Sequence, residues 1–304
     1  MFCSHCKSEA IIYLPYAQRH LCQMHFCQLF EKRFRSTIRD FNMINKNDRI
    51  AVGLSGGKDS VTLLRLLHRL QKDLPFELVA ITIDEGIAGY RSKTLEVAEQ
   101  EAKNLGIEHK IFSYKKEVGL SLDEIMEKKQ EKIPCSYCGV IRRRLLNQAA
   151  REIHADKLAV GHNLDDMAQS VMMNIMRNEP LRLARLNEPL IQDEKFVSRI
   201  RPLLRTPEKE VAIYAILNDF PIDFQECPYA RHAFRAHVRE QLNETEERYP
   251  GTKFKIVNSF LAIEDALKKG MSEKPLEMKM CGQCGEPSGQ SKCMFCSMME
   301  EFSA

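Results

Sequence analysis

Two kinds of residue cluster in this chain have the spacing of chemistry: a glycine-rich loop and three sets of paired cysteines. The loop is Val52-Gly53-Leu54-Ser55-Gly56-Gly57-Lys58-Asp59-Ser60. The apolar run Ile50-Ala51-Val52 before it reads as a buried strand. Val61, Leu64, Leu67 and Leu70 after it share one helix face. The loop therefore stands at a helix N-terminus, with unpaired backbone N–H groups, the positive end of the helix dipole, and two glycines that let main chain approach a ligand. That arrangement cradles an anion, most simply a phosphate. It is not a Walker A loop, because Asp59 follows Lys58 and Val52 occupies the place of the first glycine.

The chain carries 11 cysteines, and all but Cys27 fall into ligand-like groups. Cys3-x2-Cys6 with Cys22-x2-His25, and Cys281-x2-Cys284 with Cys293-x2-Cys296, each bring four soft ligands to one point. Both predict closed, structural Zn²⁺ sites, with no open position for catalysis. The third group, Cys135-x2-Cys138, has Cys227 as its remaining partner. Three thiolates make a poor closed zinc site. They suit a cubane iron–sulfur cluster with one iron left open, or a redox pair with a persulfide carrier. A third zinc completed by His162 or His232 is the alternative, and spacing does not separate iron from zinc.

These residues need a frame that brings them together. Strand-like runs at 50–52, 78–83, 108–112 and 157–160 alternate with helical periodicity at 61–70, 92–104, 121–130 and 164–177. This is the pattern of an α/β doubly wound parallel sheet, whose ligands bind beyond the carboxyl ends of the strands. Backbone at Ile83 would then lie near an adenine. Gly161-His162-Asn163-Leu164-Asp165-Asp166 would fall on the same edge as the phosphate loop and meet Mg²⁺ and ATP. The expected organisation is a zinc finger at 1–27, a basic connecting helix at 28–43, the sheet domain at 44–205, a helical extension at 206–270 contributing Cys227, and a second finger at 271–304. Leu217, Phe220, Phe224, Phe254, Val257, Phe260 and Leu261 are the expected core of the extension.

A net charge of +3 says little alone, but the arginines are bunched, at Arg142-Arg143-Arg144, at Arg182, Arg185, Arg199, Arg201 and Arg205, and at Arg231, Arg235 and Arg239. The last set is spaced for one helix face. Such a face suits a phosphate backbone, or is solvated and paired with Glu240, Glu244 and Glu246. No apolar run reaches the roughly 18 residues of a membrane span, so a cytoplasmic protein with no membrane association is expected.

Ser-Gly-Gly-x-Asp-Ser after a strand resembles the PP-loop of the ATP pyrophosphatases, which split ATP between its α and β phosphates and adenylate an acceptor. With both fingers and the three-cysteine set in this order, nearly the whole chain resembles the tRNA 2-thiouridine synthetases. The resemblance implies that Gly53, Leu54, Ser55, Gly56, Gly57, Lys58, Asp59 and Ser60 hold ATP, with Gly161 and His162 beside it, and that Asp59 and Asp166 serve its Mg²⁺. It further implies a 4Fe-4S cluster on Cys135, Cys138 and Cys227, two structural Zn²⁺, a tRNA substrate, and a homodimer. Sulfur would come from free sulfide, from a thiocarboxylated ubiquitin-like protein or from a desulfurase. Cys138-Gly139-Val140-Ile141-Arg142-Arg143 looks like the branch acting on the anticodon wobble uridine, since the branch acting on T-loop ribothymidine tends to have lysine where Arg142 stands. Arg142 or Arg143 would steady the adenylate phosphate.

A cluster-free persulfide mechanism through Cys135 and Cys227 is a rival route to the same product. Amidation or lysidine formation would leave the three cysteines without a role. A non-catalytic zinc-finger RNA-binding protein would leave the phosphate loop without one.

Overall fold

A computed structural model describes residues 1–128, 134–187, 195–222, 225–230, 234–272 and 279–303. Phe224, Arg231 and His232 lie outside them. The chain opens on a hairpin, β1 (Ile12–Leu14) and β2 (Arg19–Leu21), followed by α1 (Gln23–Asp40). α1 buries Phe26, Phe30, Phe34 and Ile38 along one face, because they recur every fourth residue. It begins earlier than periodicity alone indicates, with Cys22 as its N-cap, so the finger and the helix are one piece. Its basic side chains are largely spent within the protein: Arg33 pairs with Glu210 at 2.7 Å, Arg35 with Asp73 at 2.5 Å, and Arg39 with Asp40 at 3.2 Å.

Next come β3 (Arg49–Gly53), α2 (Lys58–Leu70), β4 (Glu77–Asp84), α3 (Arg91–Asn104), β5 (Glu108–Ser113), α4 (Tyr114–Glu117), α5 (Leu122–Lys128), α6 (Pro134–Glu152), β6 (Lys157–Ala159), α7 (Leu164–Met176), α8 (Pro180–Ala184) and β7 (Ser198–Ile200). The five strands form one parallel sheet in the order β5-β4-β3-β6-β7. Strand order reverses between β3 and β6, and at such a switch point the loops diverge and open a crevice. The phosphate loop leaves β3 there, and the Gly161 turn leaves β6. Strand β7 has no clear trace in the sequence: it is short, Arg199 stands at its centre, and only Ile200 is buried.

Side chains alternate across the sheet, as the period of two in a strand requires. Ile50, Val52, Leu78 and Ala80 enter a core shared with α1, α2, α7 and the C-terminal helices, whereas Ala51, Val79, Ile81 and Ile83 enter a second core with α5 and α6.

The extension consists of α9 (Glu208–Leu217), α10 (Phe234–Arg248) and α11 (Thr252–Ser272). Phe220, Val257 and Phe260 are buried in it, and Leu217, Phe254 and Leu261 pack against the same core. A small hairpin, β8 (Lys279–Met280) with β9 (Pro287–Ser288), and α12 (Met294–Ser303) close the chain. Among the described residues no helix is long and apolar enough to cross a membrane.

Candidate functional site

The phosphate loop is held open by its own hydroxyls. Ser60 Oγ donates to the Gly57 carbonyl at 2.9 Å and accepts from Ser55 N–H at 3.0 Å, while Ser55 Oγ lies 3.0 Å from Ser60 Oγ. Gly56 has φ +85°, and a β-carbon there would fall 1.8 Å from the Thr94 carbonyl oxygen, so only glycine fits. Arg91, which no sequence signal marks, clamps the loop from below. Its guanidinium donates to the Ser55 carbonyl at 2.7 Å and to the Ile83 carbonyl at 2.6 Å. The expected adenine neighbour Ile83 thus has its carbonyl engaged by the clamp.

Lys58 bridges Asp59 at 2.9 Å and Glu208 at 2.7 Å. Burial works against its charge, and the two carboxylates more than offset it, so its pKa is raised. Asn163 Nδ2 donates to Asp59 Oδ1 at 3.0 Å, joining the two strand-end turns. The turns also pack directly, since a β-carbon on Gly161 would stand 3.1 Å from Asp59 C and Ser60 N. Asn163 caps α7 in a reciprocal box: its side chain accepts from Asp166 N–H at 3.1 Å, and the Asp166 carboxylate accepts from Asn163 N–H at 3.2 Å.

The two adjacent aspartates part company. Asp165 turns inward to the buried Lys253 ammonium and accepts from Glu208 N–H at 2.7 Å, so it is structural. Asp166 stays at the site, 3.6 Å from Arg235. Burial pushes the Asp166 carboxyl up to about 6, against the pull of Arg235 and with help from Asp59; burial also raises Asp59, against Lys58. Two carboxylates whose charge is under-compensated are what a divalent cation relieves, so Asp59 and Asp166 fit Mg²⁺. His162 is held well below its ordinary range, by desolvation first and then by Arg201, Arg235, Arg142 and Arg199, and is neutral at pH 7.

Both fingers have zinc geometry. A tetrahedral ion with Zn–S near 2.3 Å places sulfurs about 3.8 Å apart. Cys6 and Cys22 sulfurs are 3.8 Å apart, His25 Nδ1 lies 3.4 Å from Cys3 Sγ and 3.3 Å from Cys22 Sγ, and Cys284 and Cys293 sulfurs are 3.7 Å apart. In each set of four, all ligand atoms lie within 4.8 Å of one another, and among the described residues no other such group occurs.

Cys135, Cys138 and Cys227 are arranged differently. Each of the three thiols is felt electrostatically by another of the set, yet together they do not form so tight a group. Their sulfurs are not gathered as tightly as one tetrahedral ion requires, and three thiolates without a fourth protein ligand are the donor set of a cubane cluster held at three corners. His162 does not complete a zinc-sized set with them. Desolvation raises all three thiol pKa values and Arg142 opposes it. Tyr114 O–H donates to the Cys138 carbonyl at 3.0 Å and lies 3.7 Å from its sulfur.

Glu85, just past the end of β4, joins the two halves of the site. Its carboxylate sits 3.0 Å from Arg91 Nε and 3.8 Å from Arg142 Nη1. The route from phosphate loop to cysteines is Ser55, Arg91, Glu85, Arg142. For Arg142, desolvation disfavours the charge, but Cys138, Glu85 and Cys227 raise its pKa overall. The expected basic stripe on α10 is only partly on view. Arg235 reaches Gln169 Oε1 and Ser170 Oγ, each at 3.1 Å, and Arg239 pairs with Glu226 at 2.9 Å. Glu244 is engaged by Arg248, and Glu246 accepts from the N–H groups of Gly251 and Lys253.

A parallel sheet with this loop at its switch point defines a PP-loop protein, and residues 27–246 match the PP-loop domain family. Residues 3–27 match the N-terminal LIM domain of the 2-thiouridine synthetase TtuA. The chain is 38% identical to the tRNA 2-thiolation protein NcsA of Haloferax volcanii, over 100% of both chains. It is 36% identical to the tRNA-5-methyluridine(54) 2-sulfurtransferase of Pyrococcus horikoshii, over 97% of this chain and 93% of that one. A solved structure, the U34-tRNA thiolase NcsA from Methanococcus maripaludis with its [4Fe-4S] cluster, superposes with a TM-score of 0.85 at 34% identity, covering 99% of this chain and 96% of that chain. Within the PP-loop class, this chain belongs to the family of tRNA 2-thiolation proteins.

Proposed function

We infer that this protein is an ATP-dependent tRNA-uridine 2-sulfurtransferase acting at the wobble position of the anticodon. The observation that carries the reading is the connection of Arg91, Glu85 and Arg142, which ties an adenylating loop to a three-thiol site at one sheet edge. The C2 oxygen of uridine is a poor leaving group, so it must first attack the α-phosphate of ATP. The loop N–H groups with Ser55, Lys58 and Ser60 are placed to hold the departing pyrophosphate, stabilising the charge that develops on it. Asp59 and Asp166 would hold Mg²⁺, which supplies Lewis-acid stabilisation of that charge. Arg142, exposed beside the cysteines and anchored by Glu85, is placed to steady the adenylate phosphate until AMP leaves. Cys135, Cys138 and Cys227 would hold a 4Fe-4S cluster, which would supply Lewis-acidic iron to deliver sulfide as the nucleophile toward C2.

Position 34 is supported by Arg142 and by likeness to a solved U34-tRNA thiolase along nearly the whole chain. The sulfur source we favour is sulfide, free or released from a thiocarboxylated ubiquitin-like protein, because Cys135 lies exposed at the mouth. A homodimer through the N-terminal finger is supported by the exposed Met1, Phe2, Ile11, Tyr13 and Met24 clustered in that unit. A cytoplasmic location is supported by cysteines that are all free thiols and by relatives named cytoplasmic.

The test is to incubate anaerobically purified protein with unmodified tRNA, Mg-ATP and sulfide, and to follow nucleotides and tRNA fragments by mass spectrometry. The expected products are AMP, pyrophosphate and 2-thiouridine at position 34. Thiolation at position 54 would move the substrate to the T-loop. ADP in place of AMP, with no thiouridine, would end the reading.

A further inference from the structure

Arg142 and Arg143 are adjacent in sequence but face different surroundings. Arg142 is anchored to Glu85; Arg143 has no carboxylate within ion-pair distance among the described residues. Its guanidinium folds back along α6 onto Gly139, one turn earlier and directly after Cys138. A β-carbon on Gly139 would stand 3.2 Å from Arg143 Nη1 and 3.6 Å from Nη2, so the guanidinium lies close over the bare glycine. The Arg143 carbonyl accepts from Arg199 Nη2 at 3.1 Å. Arg199 is the central residue of edge strand β7, in register with Leu158, and so faces α6. No described carboxylate pairs with Arg199 either; the charges it feels are Arg143, Arg201 and Arg142. Arg182 on α8 adds a further positive field at Arg143.

Arg143, exposed, and Arg199, half-buried, have no described acid partner, so the repulsion between their like charges is left uncompensated. Arg199 is driven down to about 10 by desolvation and then by Arg143, Arg201 and Arg142, and Arg143 is lowered by desolvation and then by Arg142 and Arg182. An oxyanion placed between them would remove that repulsion and satisfy fork-shaped donors suited to phosphate.

We propose that Arg143 and Arg199, at the edge of the sheet beside the cysteine mouth, form a phosphate-binding subsite for the tRNA backbone next to the target uridine. This rests on the thiolation reading and goes beyond it, by separating Arg143 from Arg142. Phosphate contacts position a nucleic acid without reading its sequence. A subsite here would hold the strand while the target base is splayed toward Arg142 and the thiols. The same chemistry would accept a phosphate of ATP or of the adenylate, so the experiment must distinguish the two sources.

Binding of unmodified tRNA is measured against salt concentration for the anaerobic wild-type protein and for R143A, R199A, R143K and R199K. ATP affinity and the visible spectrum are recorded on the same samples. Each alanine variant is expected to weaken tRNA binding about tenfold at low salt and to reduce the salt slope by about one, with ATP affinity and spectrum retained. The lysine variants should recover most of the slope, because a point charge still neutralises a phosphate.

Unchanged tRNA affinity and slope in R143A and R199A would overturn the subsite while leaving the thiolation reading intact. Loss of ATP affinity with an unchanged slope would assign the phosphate to the nucleotide and also overturn it. A wild-type protein that does not bind tRNA would sink the thiolation reading itself.

Discussion

The two fingers share a ligand geometry and do opposite mechanical jobs. The N-terminal one, on Cys3, Cys6, Cys22 and His25, runs straight into α1, and Cys3 and Cys22 belong to the same core as Phe26, Phe30 and Phe34. Phe30 stacks on Tyr214 of α9 with ring centres 4.1 Å apart, and the buried Glu210 takes the half-buried Tyr16 and Arg33 as partners, each at 2.7 Å. This finger supports the face of the sheet that carries α2 and the phosphate loop. The C-terminal one, on Cys281, Cys284, Cys293 and Cys296, supports the other face. Its helix α12 puts Met298 and Phe302 into the second core, where Phe302 lies against Tyr137, one of the two residues between Cys135 and Cys138. Glu286 ties it to Arg144 at 2.9 Å and Arg151 at 2.6 Å, both on the cysteine-bearing helix α6. One metal site holds up the nucleotide half and the other holds up the sulfur half.

The difference can be broken most directly by removing each metal. C22A, which takes a ligand and a buried core residue together, should lower global stability by several kcal/mol, on the order of what a structural zinc contributes to folding. Thermal unfolding with zinc analysis would show it. C293A should leave ATP affinity within about twofold of wild type, yet lose more than half of the visible absorbance of the three-cysteine site, because α6 loses its support. Equal loss of ATP binding in the two variants would abolish the division of labour.

A matched pair of milder substitutions sharpens it. E210Q leaves Arg33 without its partner in a buried network and should cost about 3 kcal/mol in denaturant unfolding. E286Q faces partners nearer solvent and should cost about 1 kcal/mol. E85Q keeps the shape and removes the charge between Arg91 and Arg142; because Arg91 is buried, its stability cost should resemble that of E210Q, and its distinctive effect is on activity. It should lower thiolation about tenfold while AMP formation falls much less, since the link between the halves is weakened and neither half is dismantled. Parallel loss of both activities would assign Glu85 to the ATP loop alone.

Much of this arrangement was legible in the residues, for physical reasons that differ from place to place. Strands β3 and β4 are continuous apolar runs because both their faces are covered, and the phosphate loop between β3 and α2 announces itself by glycines and hydroxyls that few other structures need. Zinc ligands are legible because a tetrahedral ion fixes their spacing. Strand β7 was not, since an edge strand of three residues with one buried side chain carries almost no period. Arg91 and Glu208 were also hidden: each serves the loop through long-range contacts, and sequence distance conceals them. Glu85 could have been found from Asp84-Glu85-Gly86 at the carboxyl end of a buried strand, where ligands gather. The separation of Asp165 from Asp166 follows from helix geometry, in which adjacent residues point about 100° apart. That only one of them serves the site depended on Lys253, far along the chain.

Cys135, Cys138 and Cys227 are expected to hold an iron–sulfur cluster while the two tight sets hold zinc. The most direct measurement is the zinc, iron and acid-labile sulfide content, with the visible spectrum, of protein purified without oxygen, alongside C135A, C138A and C227A. Zinc at both fingers is expected with about four irons and four sulfides per chain, the iron and sulfide lost in all three variants and the zinc kept. A third zinc and no iron, in protein that still thiolates tRNA, would contradict it and move the sulfur-carrying role to cysteine persulfides.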